Sequence, residues 1–332
     1  VNPFLVDAEA GLRDFLDSVR RSTRGAGIAM RSREEHTLPR PLWFGLAELG
    51  VLGLAAPDGD AGWLAAAYHE LGAVLCPGPL AATAMALQLL PAAEAALVRS
   101  GELLASVGSD GVYPWGLDAG VLIAMHDDAA SLIDASAPRL AMATLAREPW
   151  ARVDGAPLHA FTGGRRAAGF GDLAVSALVL GASSRLLEMS AEHAAARRQF
   201  GRPIGTFQAV AFPLAEAHVA LHNAGCLARA AAQALVSGHD ARALCAGART
   251  VTDAAAIEVA RTAHQVHGAT GFTEESPVAA YSTRIRQWTL LPPSGESRRA
   301  ALLAGLGQQD EQDQQSVDQA VAWSGDTRRM SQ

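Results

Sequence analysis

The string RRQFGRPIGTFQAV at 197–210 sets Arg197 ahead of a Gly-Arg-Pro turn, with the pair Phe207 and Gln208 behind it. A guanidinium is a planar fork of donors that suits a pyrophosphate. A second string, HQVHGATGF at 264–272, carries Gln265, His267, Gly268 and Gly271. Glycines so placed let backbone N–H groups approach phosphate oxygens closely, and a histidine directly before the first glycine can reach the same ligand. Either string alone reads equally well as a turn with a solvated or capping arginine. Two of them in order within one helical region weigh against that reading.

A third constellation is His218 and His222 in EAHVALHNA. Their spacing of four puts two imidazoles on one helix face, a geometry that can hold a metal. No third ligand stands nearby in the sequence, so these are read as packing or surface histidines and no metal is expected. Cys76, Cys226 and Cys245 are too few and too scattered for a zinc motif or a disulfide framework, and read as small packing residues. The tryptophans form no series with basic residues and read as core or interface anchors.

The whole chain has 332 residues, 27 of them basic and 34 acidic, and no basic stripe that could track a phosphate backbone, so nucleic acid is not an expected partner. Apolar runs are broken by Gln, Pro, Glu or Arg within membrane-spanning length, and the first residues lack a basic segment followed by an apolar core. The expectation is a cytoplasmic protein without a membrane anchor.

These residues need helices to position them. Leu12, Phe15, Leu16 and Val19 give residues 6–22 helical periodicity. Pro41 opens a segment ending near Gly50, 61–74 reads as another helix, and 80–98 reads as two, the second started by Pro91. From 102 to 161 short apolar runs separated by Gly, Asp, Ser and Pro read as strands of an antiparallel unit. Alanine-rich periodic stretches at 173–198, 206–237 and 240–268 read as a bundle of four or five helices. The expected fold is mainly α with a small β domain: an N-terminal helical domain over 1–100, a shortened β domain over 101–165, a C-terminal helix bundle over 166–307 and a mobile tail over 308–332.

On these strings the chain resembles the flavin-dependent acyl-CoA dehydrogenases. Their Arg-x-x-Phe-Gly turn and Phe-Gln pair are matched by Arg197, Phe200, Gly201, Phe207 and Gln208, and their Gln-x-x-Gly-Gly-x-Gly-Phe segment by 265–272, with Ala269 in place of the second glycine. ELGVLGLAAPDGDAG at 48–62 and ELGAVLCPGPLAATA at 70–84 are similar to the N-terminal helical domain of that family. The resemblance implies FAD, an acyl-CoA or carrier-bound acyl thioester as substrate, and α,β-desaturation as the reaction. It also implies that Arg197, Gln208, Gln265 and Gly268 serve the ADP half of a flavin held by a neighbouring subunit; Phe200 and Gly271 are further cofactor-binding candidates, and His267 is placed to approach the ribityl or phosphate groups.

The family removes the substrate proton with a glutamate at one of two places. Counting without gaps puts Gly171 and Pro292 there, and neither side chain accepts a proton. Asp172 and Glu296 are the nearest substitutes, read otherwise as a helix N-terminal carboxylate and a solvated one. The flavin-ring loop of the family has only the echo Ser109 and Asp110 in VGSDGV, which also reads as a turn. The pattern implies the shorter, base-lacking subunit of a heteromeric bacterial acyl-CoA dehydrogenase, a heterotetramer in which a homologous partner supplies the base. Two alternatives stay open: a homo-oligomer of a specialised biosynthetic pathway with a relocated base, or a flavin-free assembly scaffold.

Overall fold

The computed structural model describes residues 2–5, 10–23, 38–273 and 276–307. The tail expected over 308–332 and the first turn expected over 6–9 lie outside the described residues. The described residues are mainly α, with two small sheets and a separate two-stranded hairpin. The N-terminal part holds α1 (Ala10–Ser22), α2 (Arg40–Glu48), α3 (Ala61–Ala73), α4 (Leu80–Ala86) and α5 (Ala92–Arg99). Local chemistry sets the starts. Pro41 sits in the first turn of α2, and the Asp60 side chain accepts from the backbone N–H groups of Gly62 and Trp63 to cap α3.

Seven strands follow: β1 (Ala105–Gly108), β2 (Val112–Tyr113), β3 (Val121–His126), β4 (Ala129–Ile133), β5 (Arg139–Met142), β6 (Trp150–Val153) and β7 (Pro157–Phe161). They form one sheet in the order β1-β3-β4-β7 and another in the order β2-β6-β5. The expectation of a wholly antiparallel unit fails at one pair, because β1 and β3 are parallel. The reason is topological: the chain leaves β1 to place β2 in the other sheet, so it re-enters beside β1 from the same end and not through a hairpin. Tyr113, Leu122, Ile133, Ala151 and Val153 fill the space between the sheets.

The remaining chain is α6 (Gly164–Ala196), a short hairpin of β8 (Arg198–Gln199) and β9 (Arg202–Pro203), α7 (Gln208–Val236), α8 (Arg242–His267) and α9 (Pro277–Trp288), followed by a helical stretch at 295–307. The helix expected from 173 in fact begins at Gly164, because the glycines of FTGGRRAAGFGD serve close packing instead of a loop. Among the described residues α6 is the one helix long and apolar enough to cross a membrane, and its most apolar window is 94% buried inside the protein, so it is the central core helix. Its burial reaches all round, and one hydrophobic core runs from α1 through α3 and α4 into the bundle. A β-carbon added at Gly72 would lie 2.0 Å from the Leu178 carbonyl oxygen, and one at Gly181 would lie 1.9 Å from that of His69. Glycine at both positions is what lets α3 and α6 cross with their backbones touching.

Candidate functional site

The two phosphate-suited strings meet at one corner of the bundle. α6 stops at Ala196, and the Arg197 N–H still donates to the His193 carbonyl at 2.8 Å. The β8–β9 hairpin then turns through Phe200 and Gly201, both at positive φ, and leaves Phe200 91% exposed. Phe207 precedes the first residue of α7, Gln208. At the far end of α8, Gly268 (φ 59, ψ −140) reverses the chain into the turn Gly268–Phe272, a backbone conformation that glycine alone adopts readily. The rings of His193 and His267 stack with centroids 4.2 Å apart, which ties the end of α6 to the end of α8. Sequence reading chose His267 but had no means of finding His193, whose position beside it depends on how the two helices pack.

Arg197, Phe200, Gln208, Gln265 and Gly268 are exposed on the single chain, Gly271 is buried in the turn and His267 is half-buried. The Arg197 guanidinium has no partner among the described residues. Two ring nitrogens at this corner are buried without a hydrogen-bond partner, Nε2 of His267 and Nδ1 of His264, while Nε2 of His264 lies 2.9 Å from the Ser282 hydroxyl. Burial, with His193 and His264 adding to it, holds the His267 imidazole below its ordinary value. The corner therefore holds a guanidinium and two ring nitrogens that the chain itself leaves unpaired.

Of the two positions that counting singled out for a base, Gly171 lies beside Pro293, the neighbour of Pro292. A β-carbon on Gly171 would lie 2.5 Å from the Met85 sulfur and 3.2 Å from Pro293 Cδ, so the Met85 thioether and Pro293 fill the space beside Gly171. Gly78, Leu80, Trp115, Trp288 and Pro292 help to line the adjoining interior cavity, which holds only about 20 Å3, room for a single water. A carboxylate that sequence reading missed also lines it: Glu148, buried in the segment before β6, accepts from Arg284, Gln287 and the Trp150 indole. All its donors come from residues distant in sequence except Trp150, and no motif marks it. Three donors on one carboxylate latch the β unit to α9.

Asp172 is fully buried, and its Oδ2 accepts from Arg242 Nη1 at 2.7 Å. Arg242 also donates to Asp128 at 2.7 Å and to Ser297 at 3.0 Å. Burial pushes the Asp172 carboxyl up to about 6 against the pull of Arg242, Arg249 and Arg298. This is an internal lock, closed off from any substrate. Glu296, by contrast, is exposed at a cavity of about 180 Å3 that it shares with Ser109, Asp110, His126, Asp127 and Ser297. The fold thus unites the weak Ser-Asp echo with Glu296, which the sequence could not pair. His218 and His222 lie exposed on α7 beside an apolar groove, with Cys226 Sγ 3.7 Å from His222 Nε2. No group of three ligating side chains suited to a metal occurs among the described residues.

Comparison with known proteins follows the same lines. The fold is that of the acyl-CoA dehydrogenases: the chain superposes on a chain of the ChsE4–ChsE5 complex from Mycobacterium tuberculosis with a TM-score of 0.74, over 90% of this chain and 98% of that one, at 22% identity. A family model described as acyl-CoA dehydrogenase, C-terminal domain, matches residues 166–303. Acyl-CoA dehydrogenase IpdE2 of Mycobacterium tuberculosis is 30% identical over 268 residues, covering 73% of this chain and 79% of IpdE2. Acyl-CoA dehydrogenase FadE34 of the same organism is 31% identical over 318 residues, covering 80% of this chain, and the match spans only 45% of FadE34. The chain belongs to the acyl-CoA dehydrogenase family, flavoprotein oxidoreductases acting on CH–CH groups. The cofactor of that family is FAD, and the bundle corner fits it: orphaned imidazole nitrogens, an unpaired guanidinium, and open space at the positive-φ Gly268 suit a diphosphate.

Proposed function

We propose that this chain is the base-lacking subunit of a heteromeric acyl-CoA dehydrogenase that desaturates an acyl thioester between its α and β carbons. Arg197, Phe200, Gln208, Gln265, His267, Gly268 and Gly271 hold the ADP half of an FAD whose ring lies in a homologous partner. When bound, FAD takes up the hydride that leaves the β carbon. The α proton goes to a carboxylate of the partner, because this chain presents the Met85 thioether and two prolines where its own base would stand. The work of this chain is positioning: the Arg197 fork and the Gly268 turn fix the diphosphate and so the ring attached to it. The reading keeps a helical domain over 1–100, a β domain over 101–165 and a bundle over 166–307, and places the protein in the cytoplasm.

One observation carries this reading. The interior point shared by Gly171 and Pro293 is filled, while the outer corner at Arg197 is exposed and unpaired. Co-purification with a homologous, glutamate-bearing acyl-CoA dehydrogenase chain tests it. The lone chain is expected to be colourless, the pair yellow with fewer flavins than subunits, and Arg197→Ala in this chain is expected to strip flavin from the pair. Stoichiometric FAD and turnover by the lone chain would refute it. A second reading, a homo-oligomer with Glu296 as relocated base, is favoured by the cavity that Glu296 shares with Ser109 and Asp110. Under that reading the lone chain is yellow and active, and Glu296→Gln abolishes turnover without releasing flavin. A protein that stays colourless with its partner would be a scaffold.

A further inference from the structure

The proposed grip includes His267 but gives no role to the His193 ring stacked on it. The His193 ring, its centroid 4.2 Å from that of His267 and 27° from parallel, adds to burial in opposing protonation of His267. Nε2 of His267 is buried with no partner in the chain, a position that normally costs stability unless something else completes it. Nδ1 of His264, one helical turn earlier, is in the same state. Gly268 is exposed with open space at its α-carbon, and a β-carbon added at Gly271 in the same turn would lie 3.1 Å from His267 Cβ and 3.4 Å from His264 Nδ1, so both rings border that turn. An anion seated on that exposed turn would lie beside a His267 ring that carries positive charge only once it takes up a proton.

We propose that His193 and His267 form a proton-coupled anchor for the diphosphate of the dinucleotide, so that this chain tightens its hold as the pH falls. The inference rests on the proposed grip at Arg197 and adds to it a regulation of that same site. The groups that act on His267 support it. From α6 comes His193 and from its own helix His264; no carboxylate acts on it. The turn Gly268–Phe272 has no titratable side chain. With no acid in place, the free chain keeps His267 neutral, and a diphosphate supplies the missing negative charge. Binding then takes up a proton, and linkage requires the affinity to rise as the pH drops through the imidazole range.

Calorimetric titration of the lone full chain with ADP at pH 6 and pH 8, in two buffers of different ionisation enthalpy, measures affinity and proton uptake together. The expected result is about tenfold tighter binding at pH 6, with net proton uptake near neutral pH, where one linked proton can give at most about tenfold per pH unit. His267→Gln and His193→Phe, the latter keeping a stacked ring, are each expected to cut the pH effect to about twofold or less. Their melting curves show whether the fold persists, and a shift of the His267 C–H signal with pH, moved upward by ADP, reads the same linkage in the unmutated chain. Unchanged pH dependence in both variants, or no ADP-induced shift, overturns the anchor while leaving the grip intact if Arg197→Ala still weakens ADP. Failure of the unmutated chain to bind ADP at either pH, or indifference to Arg197→Ala, removes the grip and the anchor with it.

Discussion

Replacing Arg242 with methionine removes a cation that is 1% exposed and holds three oxygens, on Asp172, Asp128 and Ser297. The cost does not fall evenly. Asp128 is about one-third exposed and keeps Arg165 at 2.8 Å, whereas Asp172 is fully buried and its other oxygen already lacks a partner. Stripping one member from a buried ion pair costs about 3–5 kcal/mol, and with only Asp172 fully abandoned the lower end, about 3 kcal/mol, is expected at pH 7. The pH dependence follows from the carboxyl held up at about 6. Its folded value lies above the ordinary 3.8, so protonation stabilises the fold below that value and the gain is lost as the pH rises through about 6. In the Arg242→Met chain the carboxyl has lost its main cation and rises further, so the deficit should shrink between pH 7 and pH 5. Asp172→Asn, with no charge to bury, should cost less at pH 7 and remove the Asp172 contribution to the slope between pH 4 and 6. Urea denaturation followed by circular dichroism at these pH values measures each difference. A loss under about 1 kcal/mol for Arg242→Met, or the same loss at pH 5 and 7, would show that the buried lock is not what the geometry says it is.

Gly181→Ala should fail to fold or lose more than about 3 kcal/mol in urea, since its new methyl has only backbone to push against at 1.9 Å, beyond the usual cost of an overpacked side chain. Gly171→Ala should cost about 1–3 kcal/mol through the Met85 contact, and Met85→Ala in the same chain should recover most of it, as read by thermal melting. Arg284→Met leaves Glu148 buried without its cation and should cost about 3–5 kcal/mol, while Arg284→Met combined with Glu148→Gln, which leaves neither charge unpaired, should cost less. The ordering of those two variants in the same urea assay is the check.

The helices and their starts were legible in the sequence, because caps and periodicity are local: Asp60 before α3, Pro41 in α2 and Pro91 before α5 acted where they stand. So were the residues of the proposed dinucleotide grip, since each string keeps its members within a few turns of chain. Packing decided the rest. Whether the glycines of FTGGRRAAGFGD form a loop or begin a buried helix depends on which elements press against them, and the contact between Gly171 and Met85 spans most of a hundred residues. Asp172 read as a helix N-terminal carboxylate and proved a buried ion pair because Arg242 arrives from another helix. Glu148, His193 and the meeting of Glu296 with Ser109 were invisible for the same reason. Sequence order fixes what lies within a turn or two along one helix; distances across helices and sheets, and the charges buried between them, exist only once the chain has closed on itself.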